Sequence, residues 1–217
     1  FREYIQQLID YNKQFLIIGN LNAITYKEVF KLIQKNKVWL GVSLDGRNVW
    51  FEIPDHYEKY HKIENERKYA FVAGAIWYTN LKHKKRTEEL ILYKKFNSEE
   101  YPKYDNYDAI NVDKVVTIPI DFDGVMGVPI TFINKHNPNQ FKILGITSGR
   151  DEFEARPTKR YINAIQINPN GTKVSGSKAN TRATLCSSNK PSGVYYIADN
   201  ADGYLSILYA RILIKRK

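Results

Sequence analysis

The chain has 217 residues, 43% of them hydrophobic and 26% charged, which is enough apolar material for a folded core. Its 33 lysines and arginines exceed its 23 aspartates and glutamates, and the resulting net charge of +10 indicates a surface that attracts polyanions. The single cysteine, Cys186, excludes an internal disulfide and fits a reducing cytosol, and no apolar run reaches the roughly 20 residues of a membrane span.

The start of the chain predicts alternating helices and strands. Apolar residues recur at helical spacing over 1–9, and the run 15–19, "FLIIG", predicts a strand buried on both faces of a parallel sheet. A parallel strand needs a neighbour reached through a crossover, and no strand precedes this helix. We therefore expect the chain to be the later part of a larger protein.

The next two elements extend this α/β pattern. Thr25 and Glu28 have the spacing of a capping box and predict a helix over 25–37. The run 38–42, "VWLGV", predicts a second strand. Helix, strand, helix and strand in this order indicate a remnant of a doubly wound sheet.

Turn signals and short strands follow. Asp45-Gly46 and the alternating run 49–53 predict a β-hairpin. Two further strands are predicted over 69–80 and 88–96, joined by the loop "LKHKKR".

The composition changes near residue 97, where Tyr, Asn, Pro and Asp become frequent. Gly, Ser and Asn loops separate short predicted strands over 114–120, 141–147, 161–167, 193–198 and 203–217. We therefore predict an α/β domain over 1–96 and a mostly β domain over 97–217.

Several short motifs are better explained as structure than as chemistry. Asn137-Pro138 and Asn168-Pro169 lack the second proline and the aromatic residue of an amino-methyltransferase motif, so both predict turns. The segment 124–127, "GVMG", has the spacing of a nucleic-acid clamp, but its two inner residues are apolar, which favours a bend.

Acidic residues leave one catalytic alternative open. Asp121 and Asp123, with Glu152 or Glu154, could hold a metal ion in a nuclease, although no acidic-x-Lys partner is present. The four histidines show no metal-ligand spacing with acids or cysteine, so we expect no metal site.

Two features indicate nucleic-acid binding. Trp77 and Tyr78 end an apolar strand that runs into a cationic loop, and such a pairing suits base stacking beside phosphate contacts. The loop residues are Lys82, His83, Lys84, Lys85 and Arg86. The second feature is the scatter of cations late in the chain, among them Arg156, Lys159, Arg160, Lys178, Arg182 and the tail 211–217.

Longer strings carry a family resemblance. The chain contains "FREYIQQLIDYNKQFLIIGNLNAITYKEVFKLI", "YPKYDNYDAINVDKV", "DGVMGVPITF" and "YARILIKRK" in this order. Together they resemble the EcoRI-type adenine-specific DNA methyltransferases over essentially the whole chain. In that family a strand and an Asn-Pro-Pro-Phe motif precede the helix that opens here, and the cofactor segment lies further upstream. The resemblance thus implies the latter part of a catalytic domain followed by a target-recognition region.

The resemblance also implies a reaction and partners. The family transfers a methyl group from S-adenosylmethionine to the exocyclic amine of adenine in double-stranded DNA, in the cytoplasm of prokaryotes, as part of restriction-modification. The target base must be flipped into a pocket and held by stacking. Because the Asn-Pro-Pro-Phe motif is absent, the catalytic residues of this chain are unknown and the fragment is expected to be inactive without the missing N-terminal part.

By analogy with amino-methyltransferases, Asn20 and Asn22 would lie at the rim of the adenine pocket, with Trp77 or Tyr78 as its aromatic wall. The cationic loop, together with Lys159 and Arg160, would contact DNA. Two other functions stay open: a stand-alone sequence-specific DNA-binding module without catalysis, and the metal-dependent nuclease.

Overall fold

The computed structural model describes residues 1–45, 49–147 and 155–217 as a mixed α/β chain whose regular structure is mostly β-strands in several small sheets. The chain divides into two units, Phe1–Glu88 and Glu89–Lys217. Residue 97, where the sequence predicts a domain boundary, lies within the second of these units.

Two α-helices form in the first unit. Helix α1, Arg2–Asp10, buries Ile5, but Phe1 and Tyr4 on its apolar face are 43% and 53% exposed. Helix α2, Lys27–Gln34, is more deeply packed and buries Val29, Phe30, Leu32 and Ile33. Both helices occur where apolar residues recur every three or four positions, as the sequence predicts.

The predicted capping box of the second helix is wrong. Helix α2 begins at Lys27 after Tyr26, and no side chain caps it. Thr25 instead closes a 3-10 helix, Leu21–Thr25, and its hydroxyl donates to the carbonyl of Asn22 at 2.8 Å. The turn that precedes α2 uses the hydroxyl locally, so it is not available at the helix start.

The strands described in the first unit form two sheets. They are β1 (Leu16–Asn20), β2 (Trp39–Asp45), β3 (Val49–Ile53), β4 (Lys62–Glu64), β5 (Arg67–Val72) and β6 (Ala75–Thr79). One sheet has the order β1-β6-β2, and the other has the order β3-β5-β4.

Strand β6 is the centre of the first sheet and is antiparallel to both neighbours, so β1 and β2 run in the same direction on either side of it. The prediction of a parallel strand buried on both faces at 15–19 is therefore wrong. The side chains of β1 alternate in exposure, and Leu16 and Ile18 are 54% and 45% exposed. Among the described residues β1 pairs along one edge only, which leaves its other edge open.

The predicted hairpin between β2 and β3 is also wrong, because β2 pairs with β6 and β3 pairs with β5. The predicted turn residues at 46–48 lie outside the described residues. The run 69–80 is two strands rather than one. Gly74 separates β5 from β6 with φ of +68°, a conformation that suits glycine.

The second unit contains two larger sheets. Its described strands are β7 (Ile110–Asn111), β8 (Met126–Pro129), β9 (Phe141–Ile146), β10 (Ile165–Ile167), β11 (Lys173–Ser175), β12 (Thr184–Ser187), β13 (Tyr195–Ile197), β14 (Tyr204–Ile207) and β15 (Arg211–Arg216). Strands β7-β8-β15-β9 form one sheet with a single parallel pair, β7 and β8, and β11-β10-β13-β14-β12 form an antiparallel sheet. The mostly β character predicted for this part of the chain is present.

Strands β8 and β15 of the four-stranded sheet each bury three consecutive residues, so both faces of the sheet are covered there. Met126, Phe141, Ile212 and Ile214 are almost completely buried there. The closing run 203–217 is predicted as one strand, but it forms β14 and β15 in different sheets.

Two predicted strands in this unit do not form. The segment 114–120 contains a short 3-10 helix, Val115–Thr117, in place of a strand. The run 88–96 is extended but has only an isolated bridge from Lys94 to Pro119 among the described residues. It is held by single hydrogen bonds, such as that from the Phe96 amide to Asp121, so its apolar alternation does not reflect a sheet ladder.

Candidate nucleic-acid interface

The first group of predicted site residues lies at the end of β1. Asn20 and Asn22 are both exposed, and the Asn20 side chain organises the turn that follows the strand. Its Oδ1 accepts from the Asn22 amide at 2.9 Å, and its Nδ2 donates to the carbonyl of Ala73 at 3.3 Å. The structure therefore brings these two residues together, with the Asn20 side chain bonded to the protein itself.

Tyr78 is a core residue. Its side chain is fully buried, and its hydroxyl donates to the carbonyl of Asn20 at 2.9 Å. The ring meets Phe1 edge to face, with centroids 5.2 Å apart. Burial raises the pKa of the Tyr78 phenol well above its usual range. Tyr78 thus packs against the end of β1, and its ring has no exposed face on which a base could stack.

Trp77 points away from Tyr78, because successive side chains of a strand lie on opposite faces. Trp77 is half-buried, and it lies against Gly41 on the neighbouring strand β2. The two aromatics therefore cannot form one wall of a single pocket. Of the two, Trp77 retains partial exposure.

The described residues at this end do not by themselves make a site for a cofactor. The amide of Asn20 and the hydroxyl of Tyr78 already bond to backbone groups. A nucleoside cofactor needs several convergent polar groups in a concave pocket.

The cationic loop 82–86 folds back on β2. His83 Nε2 lies 3.0 Å from the carbonyl of Leu40, and Lys85 Nζ donates to the carbonyl of Val42 at 3.3 Å. The loop ends in a 3-10 helix, Lys84–Thr87. Short loops of this kind satisfy exposed strand carbonyls with whatever donors they carry.

Arg86 is the most deeply engaged of the loop cations. Its guanidinium donates to Asn36 Oδ1 at 2.6 Å and lies 4.8 Å from the ring centroid of Trp39. Burial lowers the pKa of Arg86. The indole nitrogen of Trp39 in turn donates to the carbonyl of Leu81, at the start of the loop. Lys82 and Lys84 are exposed.

The other cationic feature is in the second unit, and its strongest signal is an absence in the sequence. From 155 to 198 the chain contains no aspartate or glutamate but seven cations: Arg156, Lys159, Arg160, Lys173, Lys178, Arg182 and Lys190. Segregation of charge on this scale favours a local excess of positive charge. A count of acids along the chain would have found it, whereas the positions of the cations alone suggest only scatter.

An open cleft of about 560 Å³ lies in this acid-free stretch. It is lined by Arg156, Pro157, Lys159, Arg160, Ser177, Asn180 and Thr181. Both predicted DNA-binding residues of the second unit, Lys159 and Arg160, are therefore brought together here. The sequence interpretation placed Arg156 in the general scatter of cations and missed the contribution of Ser177 and Asn180.

Asp105 fixes one side of the cleft. Its carboxylate pairs with Lys159 Nζ at 3.1 Å and accepts from the Tyr161 hydroxyl at 2.7 Å. Burial, and secondly the hydrogen bond to Asp105, raise the pKa of Tyr161 far above its usual range. Lys159 and Asp105 are 27% and 18% exposed, so this ion pair is more buried than the exposed Arg156 and Arg160.

Asn106 and Asn180 hold the backbone around the cleft. Asn106 donates to the carbonyl of Arg182 at 2.8 Å and accepts from the Thr184 amide at 2.9 Å. Asn180 accepts from the Tyr161 amide at 2.7 Å and donates to the Tyr161 carbonyl at 3.0 Å. The string "YDNYD" therefore has a structural task, which is to position the acid-free stretch.

The metal-dependent alternative finds no support in the described residues. Within 1–45, 49–147 and 155–217, no three carboxylate, imidazole or thiol side chains come together as a possible metal site. Asp121 accepts the Phe96 amide at 2.7 Å, and Glu152 and Glu154 lie outside the described residues. In the same ranges, none of the helices has the length and apolarity needed to cross a membrane.

Comparison with known proteins identifies the family. The family model for adenine-specific methyltransferase EcoRI matches residues 1–217. The type II methyltransferase M.EcoRI of Escherichia coli is 53% identical over 159 residues, which are 70% of this chain and 48% of that protein. The type II methyltransferases M.MgeORF184P of Mycoplasma genitalium and M.MpnI of Mycoplasma pneumoniae are each 36% identical over 152 residues, 66% of this chain and 48% and 47% of those proteins. The chain spans about half the length of these relatives, and no solved structure matches it significantly.

Proposed function

The chain belongs to the EcoRI family of adenine-specific methyltransferases, and from that premise we propose that it is part of a type II DNA methyltransferase. The parent enzyme transfers the methyl group of S-adenosylmethionine to the exocyclic amine of adenine within a short duplex site. The observation that carries the proposal is the family match over the full 217 residues. The net charge of +10 and the acid-free stretch 155–198 support a DNA partner.

The two regions predicted from the sequence divide the task in this proposal. The region 1–96 is the later part of the catalytic domain and a remnant of its doubly wound sheet, and 97–217 is the target-recognition region. The alternation of α1, β1, α2 and β2 along the chain supports the first assignment. The basic cleft supports the second.

Asn20 and Asn22 are proposed to lie at the rim of the adenine pocket, with the buried Tyr78 supporting that rim rather than stacking on the base. Trp77 is the better candidate for an aromatic contact because it is partly exposed. Among the loop cations, Lys82 and Lys84 are the candidates for phosphate contacts, since Lys85 and Arg86 bond to the protein.

We infer further that the rest of the parent protein covers the open edge of β1. Leu16 and Ile18 on β1 and Phe1 and Tyr4 on α1 are large apolar residues with 43% to 54% of their surface exposed. An apolar strand edge with unpaired amides invites pairing with another strand. The matched segments of 159 and 152 residues are 48% of these relatives, so each relative is longer than this chain by roughly 100 residues, enough to supply such a segment.

The activity test compares the chain with its parent. The 217-residue chain, incubated with tritiated S-adenosylmethionine and duplex DNA, should transfer no methyl group and should bind the cofactor far more weakly than the whole enzyme. Joining it to the upstream part that carries the Asn-Pro-Pro-Phe motif should restore transfer to adenine. Normal turnover by the chain alone, or no turnover by the joined protein, would contradict the proposal.

The edge of β1 has its own test. Light scattering of the chain alone should show concentration-dependent self-association, which Ile18→Lys should suppress by placing a charge on the exposed face. Val42→Lys, at an exposed residue of β2, is the matched control. A clean monomer at all concentrations would count against an edge that needs covering.

If the recognition region acts without catalysis, the joined protein binds a specific duplex but transfers nothing. The same assay therefore separates the stand-alone DNA-binding alternative from the methyltransferase. The cytoplasm of a prokaryote is the proposed location, since the matched relatives are bacterial.

A further inference from the structure

We propose that the cleft of the second unit is a clamp for a single DNA backbone phosphate, in which Arg156 and Arg160 supply the charge and Ser177 supplies a neutral hydrogen-bond donor. This rests on the proposed function, because it takes duplex DNA as the partner. It adds the chemical class of the ligand, a phosphodiester, and the residues that bind it.

The charge balance of the cleft favours an anion. Among the residues that the structure describes, its lining contains three cations, Arg156, Lys159 and Arg160, and no carboxylate. Lys159 is already paired with Asp105 at 3.1 Å, so the charge of Lys159 is largely compensated. The two arginines are both exposed and carry the remaining positive charge. Guanidinium groups bind phosphate oxygens through two parallel hydrogen bonds, which makes arginine suited to this ligand.

The backbone that presents the two arginines is fixed on both sides. The Thr158 amide donates to the carbonyl of Asn106 at 2.9 Å, and Asn200 donates to the carbonyl of Arg160 at 2.9 Å. Asn180 holds both polar groups of the Tyr161 backbone. A site whose backbone is ordered before binding loses less entropy when the ligand arrives. The exposed arginine side chains thus extend from a backbone that these hydrogen bonds hold in place.

The neutral part of the lining comes from the segment 177–181. Ser177 is exposed at the rim, where its hydroxyl can donate to a phosphate oxygen. Thr181 also lines the cleft, but its hydroxyl donates to the carbonyl of Lys178 at 3.0 Å. Ser177 is therefore the hydroxyl assigned to the ligand, and Thr181 is assigned to the frame.

The chemistry of the described lining residues favours a phosphate over a base. The described lining residues present charged, amide and hydroxyl groups and no aromatic ring, and the Tyr161 ring next to Lys159 is buried, with its hydroxyl bonded to Asp105. A base would need an exposed ring on which to stack. Contacts of this kind position a protein on the duplex without reading its sequence.

The main test measures binding of the 217-residue chain to a labelled duplex of mixed sequence at several salt concentrations. R156A/R160A should weaken binding and flatten the slope of log affinity against log salt by about 0.9, because both arginines contact one phosphate. A change of about 1.8 would mean two separate phosphates and would overturn the single-phosphate clamp. No change in affinity or slope would overturn the site altogether.

The matched control removes two cations elsewhere in the same unit. Lys142 and Lys215 are exposed partners on β9 and β15, outside the acid-free stretch. K142A/K215A should alter the slope less than R156A/R160A does. An equal change in the two double variants would mean that only net charge matters and would overturn the clamp. Melting temperatures of both variants verify that each one is folded.

Two single variants test the roles of Ser177, the neutral hydrogen-bond donor, and of Asp105, the partner of Lys159. S177A should lower affinity about two- to fivefold with no change in slope, because a hydroxyl displaces no counterion. D105N removes the charge that compensates Lys159 and should raise affinity by about two- to fivefold. A residue with a merely structural role would lower affinity on substitution, so weaker binding by D105N would contradict the charge assignment.

Inorganic phosphate distinguishes a DNA phosphate from a free one. At equal ionic strength, phosphate should compete with the duplex better than chloride does, and R156A/R160A should abolish that difference. Phosphate that stabilises the chain while R156A/R160A leaves DNA binding unchanged would assign the cleft to free phosphate and overturn the clamp. The proposed function fails independently, since it requires methyl transfer by the joined protein and the clamp requires only duplex binding by this chain.

Discussion

The loop 82–86 of the first unit and the acid-free stretch 155–198 of the second are both rich in cations, but those cations end in different surroundings. In the loop, Lys85 and Arg86 bond to Val42 and Asn36, and Arg86 also lies on the ring of Trp39. In the stretch, Arg156 and Arg160 are exposed around a cleft. The denser cluster in the sequence is therefore the more engaged one in the structure.

The aromatic residues beside these cations differ less. Tyr78 and Tyr161 are both buried, and both donate a hydrogen bond through their hydroxyls. In each region the aromatic ring supports the frame, and what differs is whether the neighbouring cations remain exposed. An aromatic residue next to a basic run is thus poor evidence for a stacking surface unless the ring itself is exposed.

The largest expected effect tests the aromatic half of this comparison. Tyr78→Ala removes a fully buried ring from the core of the first unit and should cost about 3–5 kcal/mol of unfolding free energy. Tyr78→Phe should cost only about 1 kcal/mol, the value of the hydrogen bond to Asn20. Urea denaturation measures both. If Tyr78→Ala keeps its stability and loses only DNA affinity, the ring stacks on a base after all.

Arg86 gives the next largest effect. Arg86→Ala loses the contact with Trp39 and the hydrogen bond to Asn36, which together should cost about 1–2 kcal/mol of unfolding free energy. Arg86→Lys keeps the charge but not the planar group, and should also destabilise the chain. Lys84→Ala, with the same loss of charge at an exposed position, is the control for stability. Weaker DNA binding by Arg86→Ala at unchanged stability would return Arg86 to the interface.

Stability at alkaline pH tests whether the Tyr161 phenol resists ionisation in the folded chain as the Tyr78 phenol does. The pKa of each phenol is raised in the folded chain, so between the unfolded value near 10 and the folded value the native state binds more protons than the unfolded state. Stability is therefore fully present below about pH 10 and should fall above it, by at most about 1.4 kcal/mol per pH unit for each tyrosine. Tyr161→Phe should remove the contribution of one tyrosine to the fall in unfolding free energy per pH unit, measured by denaturation between pH 10 and 11. An unchanged slope would mean that Tyr161 ionises freely in the folded chain.

The smallest effect concerns the exposed part of the loop. If Lys84 contacts a phosphate, Lys84→Ala should flatten the salt slope by about 0.9, which corresponds to roughly a fivefold loss of affinity at 0.15 M salt. Thermal stability should not change, because the side chain is exposed. An unaltered slope would leave the loop as solvated surface and confine DNA binding to other residues.

Much of the local structure was predictable because it depends on short-range patterns. The apolar residues at helical spacing over 1–9 and 25–37 predicted helices where α1 and α2 form. The runs 38–42 and 141–147 predicted strands where β2 and β9 form. The pairing of strands was not predictable in the same way. The alternation at 49–53 is the same whether β3 pairs with β2 or with β5, and the choice depends on contacts between residues far apart in the chain.

The residues of the candidate site were likewise only partly predictable from the sequence. Lys159 and Arg160 were identifiable as cations, but the sequence could not indicate that Arg156 and Ser177 lie at the same cleft, because the segments that carry them are joined through Asn180. Asp105 lies more than 50 residues away from Lys159, and nothing local to either residue indicates their ion pair. Tyr78 could not be distinguished from a stacking residue, since burial of a strand residue is decided by what covers the sheet.

The sequence by itself determined the family, through long strings spread over 217 residues, and the chemistry that the residues make available: an excess of cations and one stretch without acids. Only the tertiary structure decided which cations are exposed and which are bound to the protein. The physical reason is that a lysine or arginine satisfies whichever acceptor the fold brings within reach, whether a strand carbonyl, as for Lys85, or a carboxylate distant in the chain, as for Lys159. Composition fixes the number of donors, and the packing of strands and loops fixes how many of them remain for a partner.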